Sequence, residues 1–369
     1  MSSSFGSTAR LYIDKNAICH NWMTLDSLTA PTCRTGAVIK ADAYGLGMAA
    51  IAPALYDAGC RLFFTARLHE ATSLHQVLAQ HNITNAEIIV FDGIYEGQQE
   101  TFHNYDLTAC LNDLGQIKIA SAMKQQFGKK PKVAIHIDTA MARLGLSLTD
   151  WRALQKRHDW QEELDITLTI SHLASSDDPR SPQNEQQRQL FEQACENMSS
   201  PLSLANTGGI VLGKPFHFDV TRPGLALYGL SPVDDNFGLQ TALTLEADIL
   251  QIRDLKKGDT IGYGASFIAP APMRVATIGI GYADGLLRRY KDHIRPRING
   301  VSCPLVGRIS MDSCVADISA LPQDIPNPEK AILFDTHFTP KELAQKSDTI
   351  AYEIITTLGE RVVRLYDGS

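Results

Sequence analysis

From about residue 10 to residue 230 the chain alternates two kinds of segment. Short apolar runs rich in β-branched residues read as strands: "GAVI" (36–39), "LFFTA" (62–66), "EIIVF" (87–91), "LTAC" (107–110), "KVAIHI" (132–137), "DITLTI" (165–170), "LSLA" (202–205) and "FHFDV" (216–220). Between them, apolar positions recur at helical period over 47–58, 67–80, 113–127, 149–158 and 183–199. Near-continuous apolarity suits strands covered on both faces, and connections of crossover length suit parallel pairing. Eight such strands close a parallel (β/α)8 barrel. An open doubly wound α/β sheet is the competing architecture.

The rhythm changes after "SPVDDNFG" (231–238). Residues 242–317 alternate apolar and polar positions, as in "LTLEADILQI", with turn signals at "KKGD", "GYG" and "ING", which predicts a second, mostly antiparallel β domain. A helical stretch (340–358) and a strand "RVVRLY" follow. The expected division is a barrel over 10–235 and a β domain over 236–369, with the N-terminal strand (1–13) a candidate to pack on the β domain.

Composition narrows the function. An apolar content of 44% over 369 residues is enough for a sizeable core. A formal charge of -7, from 34 Lys and Arg against 41 Asp and Glu, argues against a nucleic-acid partner. Seven cysteines are scattered and never closer than eleven residues, so neither CxxC metal spacing nor a disulfide framework is present, and no metal is implied. The start "MSSSFGSTAR" lacks an apolar core, and no apolar run approaches the roughly 18 residues that span a bilayer, so the expected location is the cytoplasm, away from any membrane.

In a barrel the carboxyl ends of the strands face the active site, and the residues there are mostly cationic. Lys40 follows the first strand, Arg143 lies in "IHIDTAMARLG" after the fifth, and His172 ends the sixth in "TISHLASSD". Asn206 and Thr207 follow the seventh in "LANTGG", and Arg222 and Gly224 follow the eighth in "FDVTRPGLALYG". Such a mouth suits an anion, and "NTGG" and "RPG" offer glycines where backbone N–H groups approach a phosphate closely. Taken singly, each residue has an ordinary reading: Lys40 a solvated strand-end cation, His172 a core histidine, Arg143 an ion-pair partner, Tyr263 and Tyr282 tyrosines beside turn glycines, Met311 and Asp312 structural.

Taken together, the motifs resemble those of the alanine racemase family: "LYIDKNAICHN", "AVIKADAYGLG", "DTAMARLG", "SHLASSD", "ANTGG", "RPGLALYG", "IGYGASF", "GYADG", "VGRISMDSC" and "AYEIITTLGERVVRLY" occur in one order along nearly the whole chain. The resemblance implies a (β/α)8 barrel with a C-terminal β domain, pyridoxal 5'-phosphate as cofactor, and interconversion of L- and D-alanine by two bases, supplying D-alanine for peptidoglycan or for catabolism. It implies that Lys40 holds the cofactor aldehyde as a Schiff base and serves the α-proton of D-alanine. Tyr263 would be the opposite base, specific for L-alanine and contributed by the other subunit of a head-to-tail homodimer. Tyr44, Asn206, Thr207 and the backbone around Gly224 and Leu225 would hold the phosphate end. Arg222 would face the pyridine nitrogen, and His172 beside it would help supply the cationic surroundings that ionise Tyr263. Arg143 and the Met311 N–H would grip the substrate carboxylate, with Tyr282 and Asp312 at the entrance. A broad-specificity racemase, a basic amino-acid decarboxylase and a non-catalytic cofactor carrier are the alternatives; an arginine at the ring nitrogen weighs against the decarboxylase.

Two departures from the family pattern stand out. His136 occupies the place of a lysine that is carbamylated in some relatives, so a bound anion or a neighbouring side chain must orient Arg143. Ala140 and Ala142 replace glycines, which predicts that neither position needs a positive φ.

Overall fold

The computed structural model describes residues 6–157, 159–231, 233, 237–322 and 326–367. It divides into two compact units, one formed by Ala17–Gln240 and the other by Met1–Asn16 with Thr241–Ser369. The expected domain boundary at 235/236 lies outside the described residues.

In the unit Ala17–Gln240, seven parallel strands pair in sequence order: Ala37–Val38, Leu62–Thr65, Glu87–Val90, Thr108–Leu111, Lys132–His136, Asp165–Ile170 and Leu202–Ser203. An eighth, Val220–Thr221, closes the ring. It pairs in parallel with Arg34–Thr35, at the head of the first strand. Its far side is tied to the seventh strand by Arg222 N donating to Ala205 O, while Gly36 N donates to Thr221 O, each at 2.9 Å. The unit is therefore a (β/α)8 barrel and not an open sheet. "LFFT" and "TACL" are buried at every position, as strands between a packed interior and a helical layer require.

The helices Met48–Asp57, Leu68–Gln80, Leu114–Phe127, Leu148–Gln155 and Pro182–Cys195 lie where the helical period places them. Asp113 and Ser147 cap two of them by accepting the N–H of Gln116 and Asp150. The eighth strand differs from expectation. "KPFH" (Lys214–His217) is a helical turn with Pro215 in its first turn, Phe218 has φ 52°, and the strand begins only at Val220. An apolar run of this length is ambiguous by periodicity, and the Gly-Lys-Pro start settles it as helical.

The other unit is a nine-stranded sheet built on the long strand Leu243–Leu255, whose first six residues alternate buried and half-buried. That strand pairs antiparallel with Ala9–Asp14, Met273–Ile278 and Lys330–Phe334. Ala9–Asp14 also pairs in parallel with Val363–Asp367, so the N-terminal strand packs within this sheet. The single helical stretch read over 340–358 is two helices, Pro340–Lys346 and Ala351–Thr356, separated where Asp348 takes φ 52°. No helix among the described residues is long and apolar enough to cross a membrane.

Candidate active site

Every chemically notable residue of the barrel unit sits at the carboxyl end of a strand. His172 is the hub. Its imidazole is held well below the ordinary histidine range, first by burial and then by the positive charges of Arg222, Arg143 and Lys40 around it. It is therefore neutral, which corrects its expected part in cationic surroundings; the charge there resides on the arginines and the lysine. Arg222 is only 2% exposed. Its guanidinium donates to Ser203 Oγ, to the Ser171 carbonyl at 2.6 Å and to the Leu204 carbonyl at 3.4 Å, and its remaining contact is His172 Nδ1 at 3.5 Å. Burial lowers it to about 10, which still leaves it charged at neutral pH, and no carboxylate among the described residues compensates it. A buried cation of this kind costs free energy unless an anion or acceptor completes the site.

Lys40 enters this mouth from an unusual piece of backbone. Ala41, Asp42, Ala43 and Tyr44 have φ of 52°, 53°, 53° and 61°, a turn of left-handed helix made without glycine. Each non-glycine residue there costs about 1–2 kcal/mol. The turn is over-determined. Ala41 N donates to Glu70 Oε1 at 2.7 Å, Ala43 N to Ile39 O at 2.9 Å, Gly47 N to Asp42 O at 2.9 Å, and Met48 N to Asp42 Oδ1 at 2.7 Å. Glu70 also accepts from Ala66 N and Arg67 N, so one carboxylate anchors both this turn and the start of the next helix. The Lys40 ammonium is pushed below its ordinary value by burial and by Arg143, against smaller opposing effects of Glu70 and Asp92.

The same turn delivers Tyr44 to the eighth strand's exit. A Cβ on Gly224 would lie 2.2 Å from Tyr44 Oη, so glycine is required for the phenol to reach this backbone. Gly224 N donates to Thr207 Oγ1 at 3.2 Å. Asn206 Oδ1 accepts from Gly209 N and from Ser176 Oγ, each at 2.9 Å, and so folds the "NTGG" turn. Leu225 is buried and opens the 3-10 turn Leu225–Tyr228. Tyr44, Thr207 and the Gly224–Leu225 backbone thus form one cradle of hydroxyl and N–H groups, which fits a phosphate.

Arg143 projects, exposed, from the loop after the fifth strand. Two backbone bonds close the loop's base, Leu146 N to His136 O at 2.8 Å and Asp138 N to Leu146 O at 2.9 Å. Inside it, Asp138 accepts from Met141 N at 2.9 Å and Ala142 N at 3.1 Å. The structure overturns the expectation for the two alanines: Ala140 has φ 81° and Ala142 φ 56°. Glycine is the unstrained residue at both, and here Asp138 holds the strained backbone in place.

Four of the sequence-derived residues belong to the β unit. Tyr263 stands in the turn Tyr263–Ala265 between two strands of a short hairpin and is 74% exposed. Tyr282 and Met311 are brought together, since Tyr282 N donates to Ser310 O and Ala283 N to Met311 O, each at 3.0 Å. Arg361 joins Asp312, at 2.7 Å, to buried Asp284, at 2.9 Å. Glu70, Asn112, Asp138 and Ser203 escaped the sequence reading. Their signal was slight: one carboxylate at the third position of a helix, and single polar residues at the ends of apolar strands.

Comparisons with known proteins give the chain's family. Residues 13–232 match the family described as alanine racemase, N-terminal domain, and residues 242–366 match alanine racemase, C-terminal domain. The chain is 38% identical over 372 residues to an alanine racemase of Brucella suis, covering 96% of this chain and 93% of that one. It is 39% identical over 359 residues to an alanine racemase of Cereibacter sphaeroides, covering 97% and 98%. Among solved structures, alanine racemase from Bartonella henselae with covalently bound pyridoxal phosphate superposes with a TM-score of 0.91 at 36% identity, covering 98% of this chain and 100% of that one. Matched in both halves and aligned with such relatives over nearly its whole length, the chain belongs to the alanine racemase family.

Proposed function

We propose that the chain interconverts L- and D-alanine with pyridoxal phosphate held at the barrel mouth. The observation that carries this reading is the gathering of Lys40, Arg143 and buried, carboxylate-free Arg222 around His172, on the same strand ends as the Tyr44–Thr207–Gly224 cradle. The cradle fits the phosphate, Arg222 fits an acceptor such as the ring nitrogen, and Lys40 fits the amine that anchors the aldehyde. When bound, pyridoxal phosphate supplies the electron sink that acidifies the amino acid's Cα–H.

The chain's own groups do the rest. Lys40, with its pKa depressed, keeps a larger unprotonated fraction at neutral pH and accepts or returns the α-proton on the D face. Tyr263 does so on the L face. Its exposure, with no hydrogen bond to its hydroxyl among the described residues, suits a phenol offered to a second copy of the chain, so the complete site belongs to a head-to-tail homodimer. Arg143 and the Met311 N–H bind the substrate carboxylate, and Tyr282 and Asp312 line the entrance. Arg222 has only donors, so toward the cofactor's ring nitrogen it would offer a hydrogen bond without giving up a proton. A cytoplasmic setting accords with seven scattered cysteines whose spacing makes no disulfide framework.

The test is chiral separation of alanine after incubating the cofactor-loaded chain with either enantiomer. Each should approach an equal mixture of L and D. Bound cofactor with no interconversion would overturn the racemase reading in favour of a carrier.

A further inference from the structure

His136 ends the fifth barrel strand directly beneath the loop that carries Arg143. Its Nδ1 lies 2.8 Å from Asn112 Oδ1. Which amide atom of Asn112 faces the ring is fixed by its other bonds: Nδ2 donates to the carbonyls of Phe91 and Cys110, each at 2.9 Å, so the oxygen must point to the imidazole. Asn112 is itself pinned, because its N–H donates to Gln116 Oε1 at 2.8 Å while Gln116 Nε2 donates to the Asp92 carbonyl at 2.9 Å. A carbonyl oxygen can only accept, so His136 carries a proton on Nδ1.

The second nitrogen is then decided by charge. Burial, the nearby Arg222 and Arg143, and only Asp138 in opposition push the imidazole down to about 4. At neutral pH the ring is uncharged, and Nε2 keeps its lone pair. No partner for that lone pair exists among the described residues. The adjoining Cδ2 edge packs under the Arg143 loop, so closely that a Cβ on Gly145 would sit 3.0 Å from Cδ2. Arg143 in turn has neither an ion pair nor a hydrogen bond to its guanidinium among the described residues. An acceptor beneath the loop and a donor carried on it, neither with a hydrogen-bond partner among the described residues, thus lie close enough for the Arg143 charge to act on the His136 ring.

We propose that His136 is a positioning residue for Arg143: Asn112 fixes the proton on Nδ1, and Nε2 accepts a hydrogen bond from the guanidinium when Arg143 engages the substrate carboxylate. The proposal rests on the reading above only in taking that anion to be the carboxylate of alanine. A neutral acceptor orients the guanidinium without neutralising it, so the full positive charge stays available to the substrate.

Two measurements on the cofactor-loaded protein test it. Nitrogen-15 spectra of histidine-labelled protein should show His136 protonated on Nδ1 alone. Addition of propionate, a carboxylate that lacks the amino group, should shift the Nε2 resonance in the wild type but not in Arg143→Gln. His136→Phe, which keeps the ring's shape without an acceptor, should raise KM for alanine about tenfold with a smaller change in kcat, and His136→Gln should recover most of the loss. A proton on Nε2, or equal KM for the Phe and Gln variants, would overturn the proposal. The tautomer and propionate shift are read without turnover, so they remain decisive even if the racemase reading fails.

Discussion

Two loops at the barrel mouth each carry a cation and each place non-glycine residues in the left-handed region, yet they are braced differently. The turn Ala41–Tyr44 has, besides local bonds through Asp42, a brace from outside: Glu70, on another helix, takes the Ala41 N–H, and the turn is followed at once by the helix Met48–Asp57. The Arg143 loop is held from within, by Asp138 and by two bonds across its base, and its tip is exposed. The difference matches what each cation must do. Lys40 has to be desolvated and fixed before substrate arrives, because its basicity depends on burial. Arg143 has to meet an anion that comes and goes, and an internally braced loop keeps its base rigid while its tip reaches outward.

The comparison can be broken first at Lys40. Lys40→Met should remove activity by about 10³-fold or more, as expected when the group that transfers the proton is lost. The apoprotein should nonetheless melt at a higher temperature, because a buried ammonium has been replaced by an apolar chain. The sign follows from the lowered pKa: the folded state disfavours the charged form, so the penalty is full below the folded pKa and disappears as pH rises toward the ordinary lysine value. Thermal denaturation at several pH values checks both statements.

The second loop offers a pH test at its root. His136 titrates at about 4 in the fold against about 6.5 unfolded. Below pH 6.5 the unfolded chain binds a proton that the folded one refuses, so stability is full above that value and falls by up to about 3 kcal/mol as pH drops toward 4. Urea unfolding across this window should show a shallower slope for His136→Phe than for the wild type.

Smaller effects separate outer from inner bracing. Glu70→Ala strands three backbone N–H groups and should cost about 2 kcal/mol, with kcat falling more than KM rises because Lys40 is displaced. Asp138→Ala should cost about 1 kcal/mol and act mainly on KM for alanine. Ala142→Gly relieves a φ of 56° and should stabilise by about 0.5 kcal/mol, part of the relief being offset by glycine's greater freedom in the unfolded chain. Equal changes in kcat for the Glu70 and Asp138 variants would erase the distinction between the two loops.

Most of the barrel was legible in the sequence because its strands are buried on both faces, and continuous apolar runs such as "LFFT" and "TACL" admit few other readings. "FHFDV" failed for the same reason in reverse: apolarity alone does not separate a strand from a helical turn, and Pro215 decided it. The positions of Lys40, His172 and Arg222 followed from counting strand ends. The left-handed turn did not, since residue type in "KADAY" does not announce such backbone; it is held by Glu70 from another helix and by the Asp42 carboxylate, which accepts from Met48 N. The alanines at 140 and 142 were misjudged because residue type states what is comfortable, not what a neighbouring carboxylate can enforce. His172 was expected to contribute charge, and its burial, together with the cations packed around it, reveals that it is neutral.

The central claim is that Lys40, held by this strained and braced turn, is the amine at which pyridoxal phosphate is anchored. Borohydride trapping of the loaded protein followed by peptide mapping tests it directly. The account predicts a single phosphopyridoxyl group on Lys40 and none in Lys40→Ala. A label on a different lysine, or an undiminished label in the variant, would contradict it.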